Sequence, residues 1–557
     1  MPWWLPRRLR GALSVLLTLL AAALVVAALT APTTLEALRP SAFLRLPVEA
    51  IVIVAVVLLL PERPAWWRTA VSVTVGVVLG VTAVFKLFDV GFVEALNRPF
   101  DPLIDWRYAG SLVETVRDSF GPRLGTLLVV GAGVAVVALL VLLPLALLRV
   151  TRAAARHRSR VLPTMAALTV LWMVLTLLDV RGPAGPIASH DTAGYVRGQV
   201  TRIPGQLADR REFLAASRTD PLRDAAPEDL LTGLRGKDVL IVFVESLGRV
   251  ALEDPELSPR VTSTMDAGTR QLEDAGFESR SAYLTSPTFG ALSWLAHATL
   301  QSGLWIDSQP RYDVLVTSPR LTLTRLFGRA GWRTVASVPA NNRDWPQGEF
   351  YGFDQVYDSR NVGYEGPRFG YPTMPDQYTL DAFHRLELAP RPRRPVMAEI
   401  DLITSHAPWS RVPRLIGQAD VGDGSVFEGM PQTLPSEADI WPDPERVRQA
   451  YFHAVTYSLR AFVRFVATYG DDDLVVVMLG DHQPATIVSG SDAGYDVPVA
   501  VLARDPAVLD RISGWGWDDG LRPGPGAPVW RMDAFRDRFV AAYAGGSHNG
   551  ARPTRPR

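Results

Sequence analysis

No cysteine occurs anywhere in the chain, which excludes a disulfide framework, a thiolate zinc site and a cysteine nucleophile. That absence does not choose a side of a membrane. Neither sign of charge prevails, because 57 Lys and Arg balance 57 Asp and Glu. Bulk charge therefore offers nothing to nucleic acid or to another charged polymer. What the chain does have is unevenly spread. Its apolar residues crowd into the first third, and 557 residues allow one helical membrane section followed by one large globular domain.

Five segments read as membrane spans: 11–30, 47–60, 69–88, 124–148 and 162–178. Most approach the roughly 20 residues that a helix needs to cross the hydrocarbon core. Arg7, Arg8 and Arg10 precede the first, which resembles a signal peptide but reads as a retained anchor. Arg63 and Arg68 separate the second and third, and Arg149, Arg152, Arg156, Arg158 and Arg160 separate the fourth and fifth. If all five segments cross, these clusters share one side, and the positive-inside rule makes it cytoplasmic. An odd count then delivers everything after the last span to the exterior. The expected organisation is a transmembrane section over 1–180, a connector over 181–236, a catalytic domain over 237–545 and a disordered tail over 546–557.

The run Asp238-Val-Leu-Ile-Val-Phe-Val-Glu245-Ser246 suggests a strand buried on both faces, as in a parallel sheet. Similar runs recur at 333–338, 396–403, 474–479 and 497–502, with helical patterns at 292–302, 321–330 and 444–469 between them. Such alternation predicts an α/β domain with a mainly parallel sheet. Ligands of such sheets sit beyond the carboxyl ends of the strands, and three strands end in useful chemistry. The first ends at Glu245. Another runs into Thr404-Ser405-His406-Ala407-Pro408-Trp409, and a third into Gly480-Asp481-His482-Gln483-Pro484. Carboxylates and imidazoles gathered at one sheet edge suit Zn²⁺ or Mn²⁺, with Mg²⁺ compatible with carboxylate and water. A loop that opens into a helix places Ser293 near the helix start, with Thr288 as the rival hydroxyl. There a phosphate would meet exposed N–H groups, although serine at that place also serves as a cap.

A strand-end glutamate, a hydroxyl at a helix start, then Ser-His-x-Pro and Gly-Asp-His, in that order, resemble the alkaline phosphatase and sulfatase superfamily. With spans in front, the architecture is similar to its lipoteichoic acid synthase and phosphoglycerol transferase branch. The resemblance implies that Glu245, Asp481 and His482, with the oxygen of a Ser293 or Thr288 nucleophile, bind a divalent metal, Mn²⁺ foremost. It implies that His406 contacts substrate phosphate. Asn342, Arg343 and Trp345 resemble the branch's substrate loop, although arginine here precedes the tryptophan. Counting back from Gly303 favours Ser293 as the nucleophile. The expected activity is phosphotransfer or phosphodiester cleavage on a membrane lipid, with a cell-envelope acceptor. Sulfate-ester hydrolysis would require a formylglycine motif with Pro or Ala at plus two and Arg at plus four. Ser293 is followed by Trp294, Leu295, Ala296 and His297 instead. Phosphoethanolamine transferases share the architecture but carry disulfides, and a non-catalytic scaffold is the remaining alternative.

Overall fold

The computed structural model describes residues 7–61 and 66–545. Arg63 and the tail at 546–557 lie outside the described residues. The chain forms two units, Met1–Glu94 with Arg98–Asp209, and Ala95–Asn97 with Arg210–Arg557.

Seven helices of ten or more residues run through the first stretch of the described chain: α1 Arg7–Thr30, α2 Val48–Leu59, α3 Trp66–Leu96, α4 Ala109–Phe120, α5 Pro122–Arg156, α6 Arg158–Leu177 and α7 Asp191–Arg218. Four of the described helices are long and apolar enough to cross a membrane, namely Leu9–Thr30, Trp66–Leu96, Arg123–Arg156 and Arg158–Leu177. The expectation of five is therefore corrected on length. Helix α2 has 12 residues, a rise of about 18 Å against a hydrocarbon core of about 30 Å. Prolines bound it. Pro47 sits at its N-cap, and Leu60, just before Pro61, is extended at ψ 149°, as a residue preceding proline tends to be.

The ends of α2 are nonetheless tied to the polar contacts that mark the ends of its neighbours. At one end Glu49 Oε1 accepts from the Ala193 N–H at 2.9 Å. Next to it, Thr192 Oγ1 and the Leu29 carbonyl both accept from Lys86 Nζ. At the other end Arg68 donates to the Leu60 carbonyl at 2.7 Å. Ser72 pairs with Thr151 there, and Arg149 donates to the Ser14 carbonyl. Between these two layers Val25, Leu29, Leu79, Leu143 and Leu147 form a small apolar core.

The second unit is built on a sheet of nine strands among the described residues. They are β1 Asp238–Val244, β2 Glu278–Thr285, β3 Arg333–Ser337, β4 Gln355–Tyr357, β5 Val396–Leu402, β6 Leu474–Gly480, β7 Asp496–Ala503, β8 Asp518–Asp519 and β9 Val529–Arg531. The order is β8-β2-β7-β6-β1-β5-β3-β4, with β9 beside β2. From β6 to β4 neighbours are parallel, whereas β7 is antiparallel to both β6 and β2. The sheet is thus mixed rather than simply parallel. All five expected strands form, but 497–502 runs against its neighbours, a direction that an apolar run does not encode. Strand β2 reads Glu-Ser-Arg-Ser-Ala-Tyr-Leu-Thr and was not legible as a strand, because it lacks a continuous apolar run.

Strand β1 shows why the centre is so apolar. Its alternation of period two sends Leu240, Val242 and Val244 into one core and Val239, Ile241 and Phe243 into the other. The helix Pro444–Tyr469 covers the first face, with Phe452, Val455, Leu459 and Phe462 fully inside. The helix Ser293–Ser302, here the site helix, presses Ala296 and Leu300 onto the second. The stretch read as a connector, 181–236, contains α7, and its later part joins this unit. Leu230, Leu231 and Leu234 are buried in the second core, and Arg536 pairs with Asp220 at 3.0 Å.

Candidate metal centre and nucleophile

The parallel register decides the site. Gly480 pairs with Val244, and Val244 with Leu402, so β6, β1 and β5 end side by side. Glu245, the Asp481-His482 pair and the loop leading to His406 therefore leave the sheet at one edge. Gly480 is required by this closeness, since a Cβ there would stand 1.9 Å from the Leu247 carbonyl oxygen. The loops are then stitched together. Ser405 Oγ donates to the Glu245 carbonyl at 2.6 Å, Ser286 Oγ to the Asp481 carbonyl at 2.6 Å, and Tyr451 Oη to the Ser246 carbonyl at 2.8 Å.

Ser293 enters from the site helix. It is the first helical residue, not the cap; Leu292 precedes it at φ +71°, a left-handed conformation that costs an L-residue energy and clusters at functional turns. Ser246, on the opposite loop, is left-handed as well at φ +56°. The turn delivers Ser293 Oγ to within 3.0 Å of Glu245 Oε2 and 3.2 Å of His482 Nε2. His482 Nε2 lies 3.4 Å from Glu245 Oε1 and 3.4 Å from Asp481 Oδ2.

This group fits one divalent cation on the chemistry of its atoms. Glu245, Asp481 and His482 each offer a ligand atom within 4.8 Å of the others. Ligands about 2.0–2.3 Å from a common ion stand about 3–3.7 Å apart, which is the spacing found. His482 Nδ1 is 2.8 Å from the Gln483 carbonyl; that contact places the proton on Nδ1 and leaves the Nε2 lone pair for the ion. Asp481 Oδ1 accepts from the Ser246 and His482 N–H groups at 2.7 and 2.8 Å. Its Oδ2 is buried and has no hydrogen-bond partner. A buried carboxylate oxygen without a donor is costly unless a cation meets it.

The electrostatics agree. Burial pushes the Glu245 carboxyl up, but the imidazoles of His406 and His482 and the hydroxyls of Ser246 and Ser293 outweigh it and hold the group below its ordinary range. Asp481 is raised, by burial first and then by the charge of Glu245. His406 stacks on Tyr371 at 3.7 Å between ring centres, within electrostatic reach of Glu245.

Among the expected site residues the structure thus gathers Glu245, Ser293, Asp481 and His482, with His406 beside them. Thr288 is buried in the loop before the site helix, and its hydroxyl has no hydrogen-bond partner. Trp345 packs with Tyr351 at 5.3 Å, in the same apolar cluster as Leu292 and Trp294 on either side of Ser293. Asn342 and Arg343 precede it and are exposed. Asp376, which opens the helix Asp376–Phe383, is a fully buried strut. Its carboxylate accepts from the Ile403 and Thr404 N–H groups at 2.7 and 2.9 Å and from Ser458 Oγ at 2.6 Å. It anchors the start of the loop that carries His406.

Sequence reasoning passed over Glu399 and Asp401. Two carboxylates two positions apart in the otherwise apolar Val396–Leu402 are the signal that marks them, since a doubly buried strand seldom admits charge.

Residues 237–499 match the family model described as sulfatase. No curated protein sequence matches the chain significantly. Among solved structures, the chain is similar to the lipoteichoic acid synthase LtaP from Listeria monocytogenes at 17% identity and TM-score 0.36, over 55% of this chain and 71% of that one. It is similar to the phosphoglycerol transferase GacH of Streptococcus pyogenes, in complex with sn-glycerol-1-phosphate, at 12% identity and TM-score 0.34, over 62% and 92%. It is also similar to the C-terminal periplasmic domain of EptC from Escherichia coli, in complex with Zn, at 13% identity and TM-score 0.36, over 54% and 80%.

Proposed function

We propose that the chain, whose residues 237–499 match the family model described as sulfatase, is a membrane-anchored, metal-dependent phosphotransferase or phosphodiesterase that acts on lipid-linked phosphate esters through Ser293. The observation that carries the reading is the position of Ser293 Oγ, 3.0 Å from Glu245 and 3.2 Å from His482 at a helix start.

Glu245, Asp481, His482 and Ser293 would hold a divalent cation, with Mn²⁺ preferred to Zn²⁺ or Mg²⁺, and when bound it would acidify the serine hydroxyl and offset charge on the phosphoryl oxygens. Ser293 Oγ attacks phosphorus in line; its bond to phosphorus forms as the ester bond to the lipid group breaks. Glu245 Oε2, already its hydrogen-bond acceptor, takes the hydroxyl proton, which solvent passes on to the leaving lipid oxygen. N–H groups at the start of the site helix stabilise the phosphoryl charge. His406, whose Nδ1 is committed to the Ala407 carbonyl, presents Nε2 to a phosphoryl oxygen. Water or an acceptor hydroxyl of the cell envelope then attacks the phosphoserine, and its own proton passes to Ser293 as the serine–phosphorus bond breaks. Asn342, Arg343 and Trp345 are assigned to the lipid head group, on the loop after β3.

Sulfate chemistry has weaker support, because the chain has no cysteine and Trp-Leu-Ala-His follows Ser293. The cytoplasmic N-terminus and exterior catalytic domain are proposed from the arginine clusters.

The test is incubation of the purified chain with phosphatidylglycerol and each of Mn²⁺, Zn²⁺ and Mg²⁺, with mass spectrometry of the lipid and of the Ser293 peptide. Release of diacylglycerol with a phosphoglycerol adduct on Ser293 is expected. Intact lipid and unmodified serine with all three cations would overturn the proposal.

A further inference from the structure

One turn along the site helix from Ser293, a second group of metal-ligating atoms faces the sheet. His297 Nδ1 lies 3.0 Å from Glu399 Oε1 and 3.6 Å from Asp401 Oδ1. One atom from each of the three residues falls within 4.8 Å of the others. The elements dictate this meeting. Residues 399 and 401 point to the same face of β5, paired with Ile241 and Phe243 of β1. His297 stands four positions beyond Ser293, hence on the same side of its helix. Its ring lies flat on Phe243, 3.8 Å between centres, which fixes the plane in which Nδ1 points.

Three observations go beyond an ion pair. First, the 3.0 Å between His297 Nδ1 and Glu399 Oε1 is that of two ligands on one ion, because two atoms about 2.1 Å from a common metal are about 3.0–3.5 Å apart at octahedral or tetrahedral angles, and Asp401 Oδ1 at 3.6 Å stands just beyond. Second, Asp401 Oδ1 is buried and has no hydrogen-bond partner. Third, Glu399 is held for a ligand's role. Its Oε2 accepts from Gln301 Nε2 at 2.6 Å, and Gln301 is in turn fixed by the Thr324 N–H and hydroxyl at 3.0 and 3.1 Å. That support leaves Oε1 directed at His297, the arrangement in which outer partners orient metal ligands.

Charge accounting points the same way. Glu245, Asp481, Glu399 and Asp401 bring four carboxylates into one region, and a single divalent ion at the first centre offsets two of them. The groups acting most strongly on Asp401 are His297, Glu399, Asp481 and Glu245; none is a lysine or arginine.

We propose that His297, Glu399 and Asp401 form a second divalent-cation site, for Zn²⁺ or Mn²⁺, beneath the nucleophile's helix. Two carboxylates and one imidazole suit these borderline ions. The Asp401 and His297 side chains keep 19% and 12% of their surface exposed, which leaves an entry route. The site stands on its own ligands and does not depend on the reaction proposed for Ser293.

The full chain in detergent is stripped of metal, equilibrated with Zn²⁺ or Mn²⁺, and its bound metal counted by plasma mass spectrometry. Two equivalents are expected in the parent chain and one in Asp401→Asn. One equivalent is also expected in Glu245→Gln/Asp481→Asn, where the second site alone remains. Crystals soaked in Zn²⁺ give a direct measurement that needs no variant. An anomalous peak bonded to His297 Nδ1 is expected. A single equivalent in the parent chain, two in Asp401→Asn, or no peak at His297 would overturn the proposal.

Discussion

Ser293 donates to Glu245 at 3.0 Å across 48 residues of sequence, and the remaining geometry of the site follows from how those two residues are brought together. Glu245 is placed by the end of a strand buried throughout, Ser293 by a left-handed turn into the site helix.

If that contact marks the nucleophile, the two candidate hydroxyls separate cleanly. Ser293→Ala should lower turnover of an aryl phosphodiester by about a thousandfold or more, the scale seen when a nucleophile is deleted. Thr288→Ala should leave turnover near that of the parent. Steady-state kinetics on both variants decide it, and the reverse ranking would transfer the role to Thr288.

Gly480 predicts a backbone effect rather than a chemical one. In Gly480→Ala the new methyl would stand 1.9 Å from the Leu247 carbonyl oxygen, so β6 and the loop after β1 must part. Such overpacking costs about 1–3 kcal/mol. Displacement of Asp481 and His482 should also weaken metal binding. Thermal unfolding and metal titration are the measurements.

Asp376 predicts a pH window. Burial raises its carboxyl to about 6 against the hydrogen bonds from Ser458, Thr404 and Ile403, compared with about 4 in an unfolded chain. Folding therefore takes up a proton between those values. The associated stability is present in full below about pH 4 and is lost as pH rises through about 6, by on the order of 3 kcal/mol. Asp376→Asn removes this dependence. The difference in unfolding free energy between parent and variant should slope between pH 4 and 6 and be flat above; a difference flat throughout would refute the assignment.

The absence of cysteine makes the proposed orientation easy to test. Ser159→Cys, exposed in the first turn of α6, and Gly494→Cys, on an exposed loop of the catalytic domain, each introduce a single thiol. In intact cells an impermeant maleimide should label Gly494→Cys and reach Ser159→Cys only after permeabilisation. The opposite pattern would place the domain in the cytoplasm.

Much of this was legible before folding. Apolar, β-branched runs identified all five of the expected strands, because a strand buried on both faces needs an unbroken apolar sequence. The Gly-Asp-His and Ser-His-x-Pro segments pointed to a metal centre because strand ends are where a parallel sheet exposes its chemistry. Chain direction at 496–503 and the strand Glu278–Thr285 were not legible, since pairing is settled by neighbours distant in sequence. The short α2 shows the same limit from the other side. Its composition reads as a span, but only its two prolines and its partners settle where the helix stops.

The sequence by itself determined the composition of the parts: an apolar front, a sheet of buried strands, and carboxylates, imidazoles and a hydroxyl at their ends. Only the tertiary structure decided which of those groups meet. It made Asp376 a buried strut under the His406 loop, and it set His297 over Glu399 and Asp401. Ligand geometry is a property of atoms 3–4 Å apart that arrive from residues as far apart as Glu245 and His482, and the register of strands and helices alone carries that information.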